Sequence, residues 1–349
     1  MESALSLFRR RRDEIFDVLR LYSAILNMCP DFIGEEDVLS LAGPLGEMSP
    51  EQKAAAQVSA VYGMILAAGG LAPEEDPHHR VLAKEYIWPS LAKLQPSVYK
   101  DNAYCCHVPF PSVTKGRWTL CERSYAPYEL FVRGADTGYP DGREVPSIGF
   151  FDTSFSFPAV LENGREWMTV TPNEIETMKE PLAKAEGKVL TLGLGLGYFA
   201  FMAAEKDTVE SVTVVERDET VISLFAEHLL PHFPNGRKIR IQKGDALAYL
   251  DGQARRESFD FAFADLWHDA SDGVPLYLAI KKREASLPFL MSYWIEGSLL
   301  SHIRWRLFAD FEKSGRFPDD MAAALTDTAL ARAVALHPGR FASLFHTSF

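Results

Sequence analysis

One short stretch constrains this chain more than any other: Leu192-Gly193-Leu194-Gly195-Leu196-Gly197-Tyr198, at the end of the apolar run 188–192. A strand that turns at once into a helix needs glycine where side chains would clash and where the backbone must come close to a ligand. A glycine-rich turn is also compatible with tight packing alone, so its surroundings decide its meaning. From about residue 173 onward, apolar strands alternate with amphipathic helices, which implies a parallel sheet. The expected strands are 188–192, 212–215, 239–242, 259–264 and 289–294, with 219–229 among the helices between them. After about Glu296 the chain reads as helical, with Leu299, Ile303, Leu307 and Phe311 on one face.

Upstream the character differs. Residues 1–99 read as a helical region, in which Ile15, Phe16, Leu19, Tyr22 and Leu26 recur at helical spacing. Ser49-Pro50-Glu51 opens a second helix that stops at Gly69-Gly70. Residues 100–172 read as a small β region, where β-branched and aromatic residues alternate with polar ones. Within it, Glu162-Asn163-Gly164-Arg165 predicts a hairpin with a tight type I′ turn. Residues 173–349 form the third expected region, the cofactor-binding domain with its helical tail.

The ends of the four leading strands carry a constellation. Glu216 closes the second, 23 positions past Gly193. An acid at such a point suits both hydroxyls of a ribose, and Arg217 follows it. The third strand leads into Gly244-Asp245-Ala246, where the carboxylate can accept from the exocyclic amine of adenine and the backbone N–H of Ala246 can donate to its ring. The fourth ends in Asp265-Leu266-Trp267-His268-Asp269. Open α/β sheets place ligands at these carboxyl ends.

This order resembles the class I S-adenosylmethionine-dependent methyltransferases, over about residues 188–270. The resemblance implies an α/β fold: a Rossmann-like, mostly parallel sheet with helices on both faces, preceded here by the helical and β regions. It implies S-adenosylmethionine as cofactor, held by Gly193, Gly195, Gly197, Glu216, Arg217, Asp245, Ala246, Asp265 and Trp267. Such enzymes commonly have an acid two residues before the first glycine, where this chain has Thr191. A narrower resemblance, over about 150–280, is to spermidine synthases, which also precede the first strand with a β hairpin and end the fourth in an Asp-rich loop; Asp265, Asp269 and Asp272 look like that loop. Three departures oppose the polyamine reaction. Leu196 stands where an acid is typical, Trp167 where a glutamine is, and Ile175-Glu176-Thr177-Met178 where a Tyr-His pair is. Leu196 removes a charge that would repel the carboxylate of ordinary S-adenosylmethionine. The expected activity is therefore methyl transfer to a small-molecule acceptor, with an aminopropyltransferase or an inactive nucleoside-binding scaffold as alternatives. Asp265 is the candidate to orient the acceptor or take its proton, with His268 as the alternative base. Trp267 is expected to stack on a planar acceptor or shield the sulfonium.

Composition narrows the partners. A formal net charge of −12 opposes a nucleic-acid backbone, which is bound by clustered Lys and Arg. Cys29, Cys105, Cys106 and Cys121 form no C-x-x-C pair and read as reduced thiols. No metal site is expected, since adjacent Cys105 and Cys106 rarely share one tetrahedral zinc. Arg9–Arg12 precede no signal-peptide core, and the apolar stretch 61–72 is too short to span a bilayer, so a cytoplasmic protein without membrane association is expected. The helical region is read as a lid, a substrate-recognition module or the surface of a homodimer.

Overall fold

The computed structural model describes residues 4–43, 46, 48–315 and 327–345. The chain divides into two compact units, one of Met1–Tyr99 and Ser124–Ser156, the other of Lys100–Arg123 and Phe157–Phe349. Residues 100–172, expected as one β region, are thus shared between the two.

In the first unit, helices Ala4–Met28, Glu35–Ala42 and Pro50–Ala68 accompany a three-stranded sheet. In that sheet Ile148–Phe150 runs parallel to Leu91–Lys93 and antiparallel to Phe131–Val132. The helix at Pro50 starts as the sequence predicts. Ser49 Oγ accepts from the Gln52 N–H and the Gln52 side chain accepts from the Ser49 N–H, a reciprocal cap. The first helix buries a face rotated from the expected one. Ile15, Val18, Tyr22 and Ile25 are inside, while Phe16 and Leu19 are exposed. Spacings of three and four residues select that stripe, and Phe16 and Leu19 each fall one position off it.

A four-stranded sheet of β1 (Val113–Lys115), β2 (Trp118–Tyr125), β3 (Phe155–Glu162) and β4 (Arg165–Thr169), in that order, falls mostly in the second unit, with β1–β2 and β3–β4 antiparallel. Glu162 pairs with Arg165 across the β3–β4 hairpin. Asn163 and Gly164 have φ of 51° and 81°, both left-handed as a type I′ turn requires. Helix α1 (Pro172–Lys184) leads into a five-stranded sheet: β5 (Gly187–Leu192), β6 (Val209–Glu216), β7 (Ile239–Lys243), β8 (Phe261–Ala264) and β9 (Leu290–Tyr293). All neighbours are parallel, and the order is β7-β6-β5-β8-β9. The sheet is flanked by α2 (Tyr198–Ala204), α3 (Glu219–His228), α4 (Ala246–Asp251), α5 (Ala270–Glu284) and α6 (Glu296–Ser314). Val189, Leu190, Leu192, Val212, Val214, Phe261 and Phe263 are buried along it, as expected of strands covered on both faces. The fold is α/β and Rossmann-like. In α6 the buried face contains Leu299, Ile303 and Phe308, with Leu307 and Phe311 only half-buried. Strand order reverses between β5 and β8, and the carboxyl ends of these two strands form the crevice where open α/β sheets bind ligands. Among the described residues no helix is long and apolar enough to cross a membrane.

Candidate functional site

The glycine turn joins β5 to α2, and all three glycines have positive φ: 98° at Gly193, 50° at Gly195 and 73° at Gly197. Each is also crowded by the protein's own atoms. A Cβ at Gly193 would fall on the carbonyl oxygen of Asp265, one at Gly195 on the Met168 sulfur, and one at Gly197 on the Phe225 ring. The turn is pinned by the Gly193 N–H donating to Val215 O at 2.9 Å and by the Leu196 N–H donating to Met168 Sδ at 3.3 Å. Tyr104 OH donates to Leu196 O at 2.7 Å, and Asn102 donates to Tyr198 OH at 2.9 Å. The Leu196 side chain is fully buried.

Glu216 is half-buried at the end of β6. Its Oε2 accepts from the Leu194 N–H at 3.2 Å and its Oε1 from the Asp218 N–H at 2.8 Å, so it ties the glycine turn to the start of α3. Asp218 caps α3 and accepts from Trp118 Nε1 at 3.0 Å and Arg117 at 2.6 Å; these contacts and its caps hold its carboxyl below the usual range, against the opposing effect of partial burial. Arg217 is exposed. Asp245 is exposed and caps α4, its Oδ1 accepting from the Ala248 N–H at 2.9 Å, while Ala246 is buried in the first turn of that helix. Thr191, the residue in place of an acid, is buried and donates its hydroxyl to Gly193 O at 3.3 Å.

The loop after β8 differs most from expectation. Trp267 is buried, its indole packed on Gly273 of α5, where a Cβ would meet ring carbons at 2.6 and 2.9 Å. Apolar burial against α5 thus takes the ring that was expected to face a ligand. Asp269 and Asp272 form a capping box for α5 in place of a free acidic loop. Asp269 Oδ1 accepts from the Ser271 N–H at 2.6 Å, and Asp272 accepts from the Asp269 N–H at 2.9 Å. His268 is exposed, with Nε2 3.2 Å from Glu166 O and Nδ1 3.8 Å from Asp269. A cavity of ≈ 820 Å³ beside it is lined by Glu162, Asn163, Arg165, Glu166, Trp167 and His268.

Asp265 follows β8 directly, its N–H donating to Leu192 O at 2.9 Å, beside Gly193. Burial pushes its carboxyl up to about 7. A second acid stands close enough to interact with it. Glu174, in the first turn of α1, is buried, and its Oε2 has no hydrogen-bond partner. Desolvation first, then the Asp265 charge, push Glu174 well above the usual carboxylate range. Burial and like charge thus favour the protonated form of both acids. The structure thus gathers Gly193 and Asp265 at the β5–β8 crevice, and Glu216 and Asp245 at the neighbouring strand ends. Glu174 and Met168 are additions. Neither has a local signal in the sequence: burial of Glu174 and the Met168 contact with the glycine turn are both set by tertiary packing.

No family model and no curated protein matches the sequence. Solved structures do. A candidate O-methyltransferase from Klebsiella pneumoniae matches at 21% identity and TM-score 0.22, over 28% of this chain and 43% of its own. MnmC2 from Aquifex aeolicus matches at 14% and 0.26, over 37% and 52%. A candidate SAM-dependent methyltransferase from Streptococcus mutans matches at 16% and 0.31, over 57% and 58%. The chain spans about half the length of these structures, and likenesses this distant carry no functional weight.

Proposed function

We propose that this chain is an S-adenosylmethionine-dependent methyltransferase acting on a small-molecule acceptor. The reading rests on one observation: the glycine turn, Glu216, Asp245 and Asp265 stand at the carboxyl ends of β5, β6, β7 and β8 around the point where strand order reverses. The residues present fit a nucleoside cofactor. Each Glu216 oxygen accepts one backbone N–H and keeps a lone pair for a ribose hydroxyl. Asp245 is open to solvent just past the next strand end, with only one oxygen committed to its cap, as an acceptor for an amine would need to be. The group on Gly195 is a flexible thioether, which can shift without moving backbone.

When bound, the cofactor supplies an electrophilic methyl group on a sulfonium. The chain's share is position and charge. Glu216 orients the ribose, and the glycine turn lets the backbone approach. Asp265, with its carboxyl near neutrality, orients the acceptor and takes its proton. His268, on the exposed loop with Nε2 against Glu166 O, is the alternative base. Calorimetry with S-adenosylmethionine and S-adenosylhomocysteine tests this reading. Wild type binds, and Glu216→Ala weakens binding by roughly 1–3 kcal/mol. Absence of binding of either nucleoside to the wild type overturns the reading.

A further inference from the structure

We infer that the cavity between the β3–β4 hairpin and the loop after β8 is a binding site for an aromatic carboxylate, stacked on Trp167 and paired with Arg165. The inference goes beyond the methyltransferase reading and does not rest on it.

The cavity is lined by two carboxylates and one guanidinium, and both carboxylates are already engaged. Glu162 Oε1 lies 2.9 Å from Arg117 Nε, and Glu166 Oε1 lies 3.3 Å from Arg123 Nε. Arg165 is exposed and forms no ion pair among the described residues, although Glu162 faces it in the hairpin ladder. The uncommitted charge of the lining is therefore one cation, on a chain whose net charge is −12. A guanidinium offers its donors as a planar fork that matches a carboxylate in two parallel bonds.

Trp167 supplies the second half of the site. Its side chain is 37% exposed. Trp118 meets the indole edge to face, with centroids 6.0 Å apart at 83°, and His268 lies tilted at 6.3 Å and 56°. Among the described residues no ring stacks flat on it. The indole is braced by two neighbours, so little ordering is left for a ligand to impose, and it keeps surface for a flat partner. His268 Nε2, 3.2 Å from Glu166 O, joins the loop to the hairpin at the cavity wall. The volume of ≈ 820 Å³ lies within the range of small-molecule sites.

These features select among anions. A phosphate dianion calls for more positive charge than one guanidinium brings. An aliphatic carboxylate satisfies Arg165 but leaves the indole in water. An aromatic carboxylate satisfies both groups at once.

Calorimetry on the full chain compares naphthoate, naphthamide (the same shape without the charge), the saturated decalin carboxylate and inorganic phosphate. The variants are Arg165→Gln and Trp167→Leu, both on the exposed hairpin, and thermal melts establish that each is folded. Wild type should bind naphthoate in preference to the other three. Arg165→Gln should lose roughly tenfold or more in affinity for naphthoate and leave naphthamide unchanged. Trp167→Leu should lose roughly threefold or more for naphthoate and naphthamide alike, and with it the preference over decalin carboxylate. The site is overturned if naphthoate does not bind, if either variant binds it as wild type does, or if naphthamide or phosphate binds wild type as tightly. S-adenosylhomocysteine is titrated separately. If naphthoate behaves as described and the nucleoside does not bind, the site stands while the methyltransferase reading falls.

Discussion

A carboxyl group surrounded by protein and beside another carboxyl gives up its proton reluctantly, and that reluctance is a statement about folding. In the folded chain Asp265 titrates at about 7, against an ordinary value of 3.8, and Glu174 is raised as well. A raised carboxyl favours the folded state while it keeps its proton. Its contribution is complete below about pH 4 and is lost as pH rises to about 7. Asp265→Asn removes this dependence. Over that window the stability of the wild type should fall relative to the variant, by at most about 1.4 kcal/mol per pH unit for one group. Urea unfolding at pH 4, 5.5 and 7 measures it, and parallel curves would show that Asp265 is not raised. Asp265 was legible in the sequence because a strand end followed by Asp is a local pattern. Glu174 was not, since its neighbours Ile175 and Met178 drew attention to a missing motif, and only tertiary burial makes an acid at that position unusual. Trp267 misled for the reverse reason. Its place beside Asp265 suggested a ligand, but apolar burial on Gly273 decided where the ring went.

Elements whose signals are local came out of the sequence nearly whole. The five parallel strands appear with ends moved by a few residues, and the Asn163-Gly164 turn adopts the expected conformation. What the sequence did not carry is how the β3–β4 hairpin meets the glycine turn, because that contact joins residues 28 apart through a thioether. Met168 accepts from the Leu196 N–H and fills the space above Gly195, so β4 acts as a clasp on the turn. Met168→Leu conserves volume and removes the acceptor. The expected cost is about 1 kcal/mol of stability, with faster hydrogen exchange at the Leu196 amide. Unchanged exchange at Leu196 would mean that the turn holds its shape without the hairpin. Tyr104 supplies a second clasp from 92 residues away, and no pattern in the sequence announces it.

The two units of the molecule are interleaved along the chain: it leaves the first after Tyr99, returns at Ser124 and leaves again after Ser156. The second unit therefore depends on the detached piece Lys100–Arg123. That piece supplies Tyr104, fully buried among Tyr198, Phe201 and Phe233, and Trp118, which donates to Asp218. A fragment of residues 157–349 should then lack a cooperative thermal transition, or melt well below the full chain. Circular dichroism decides it, and a fragment that melts like the whole protein would show the detached piece to be dispensable. The sequence suggested boundaries at 99 and 172 because it registers changes of composition, and interleaving leaves composition untouched. The same interleaving sets a timetable for synthesis. Tyr104 leaves the ribosome before the ring partners and the Leu196 carbonyl that will receive it, and at ordinary elongation speeds that gap is about 5–20 s. For that interval an aromatic side chain built for a dry interior is exposed on a growing chain, so the moment of greatest vulnerability to aggregation comes before the glycine turn has been made.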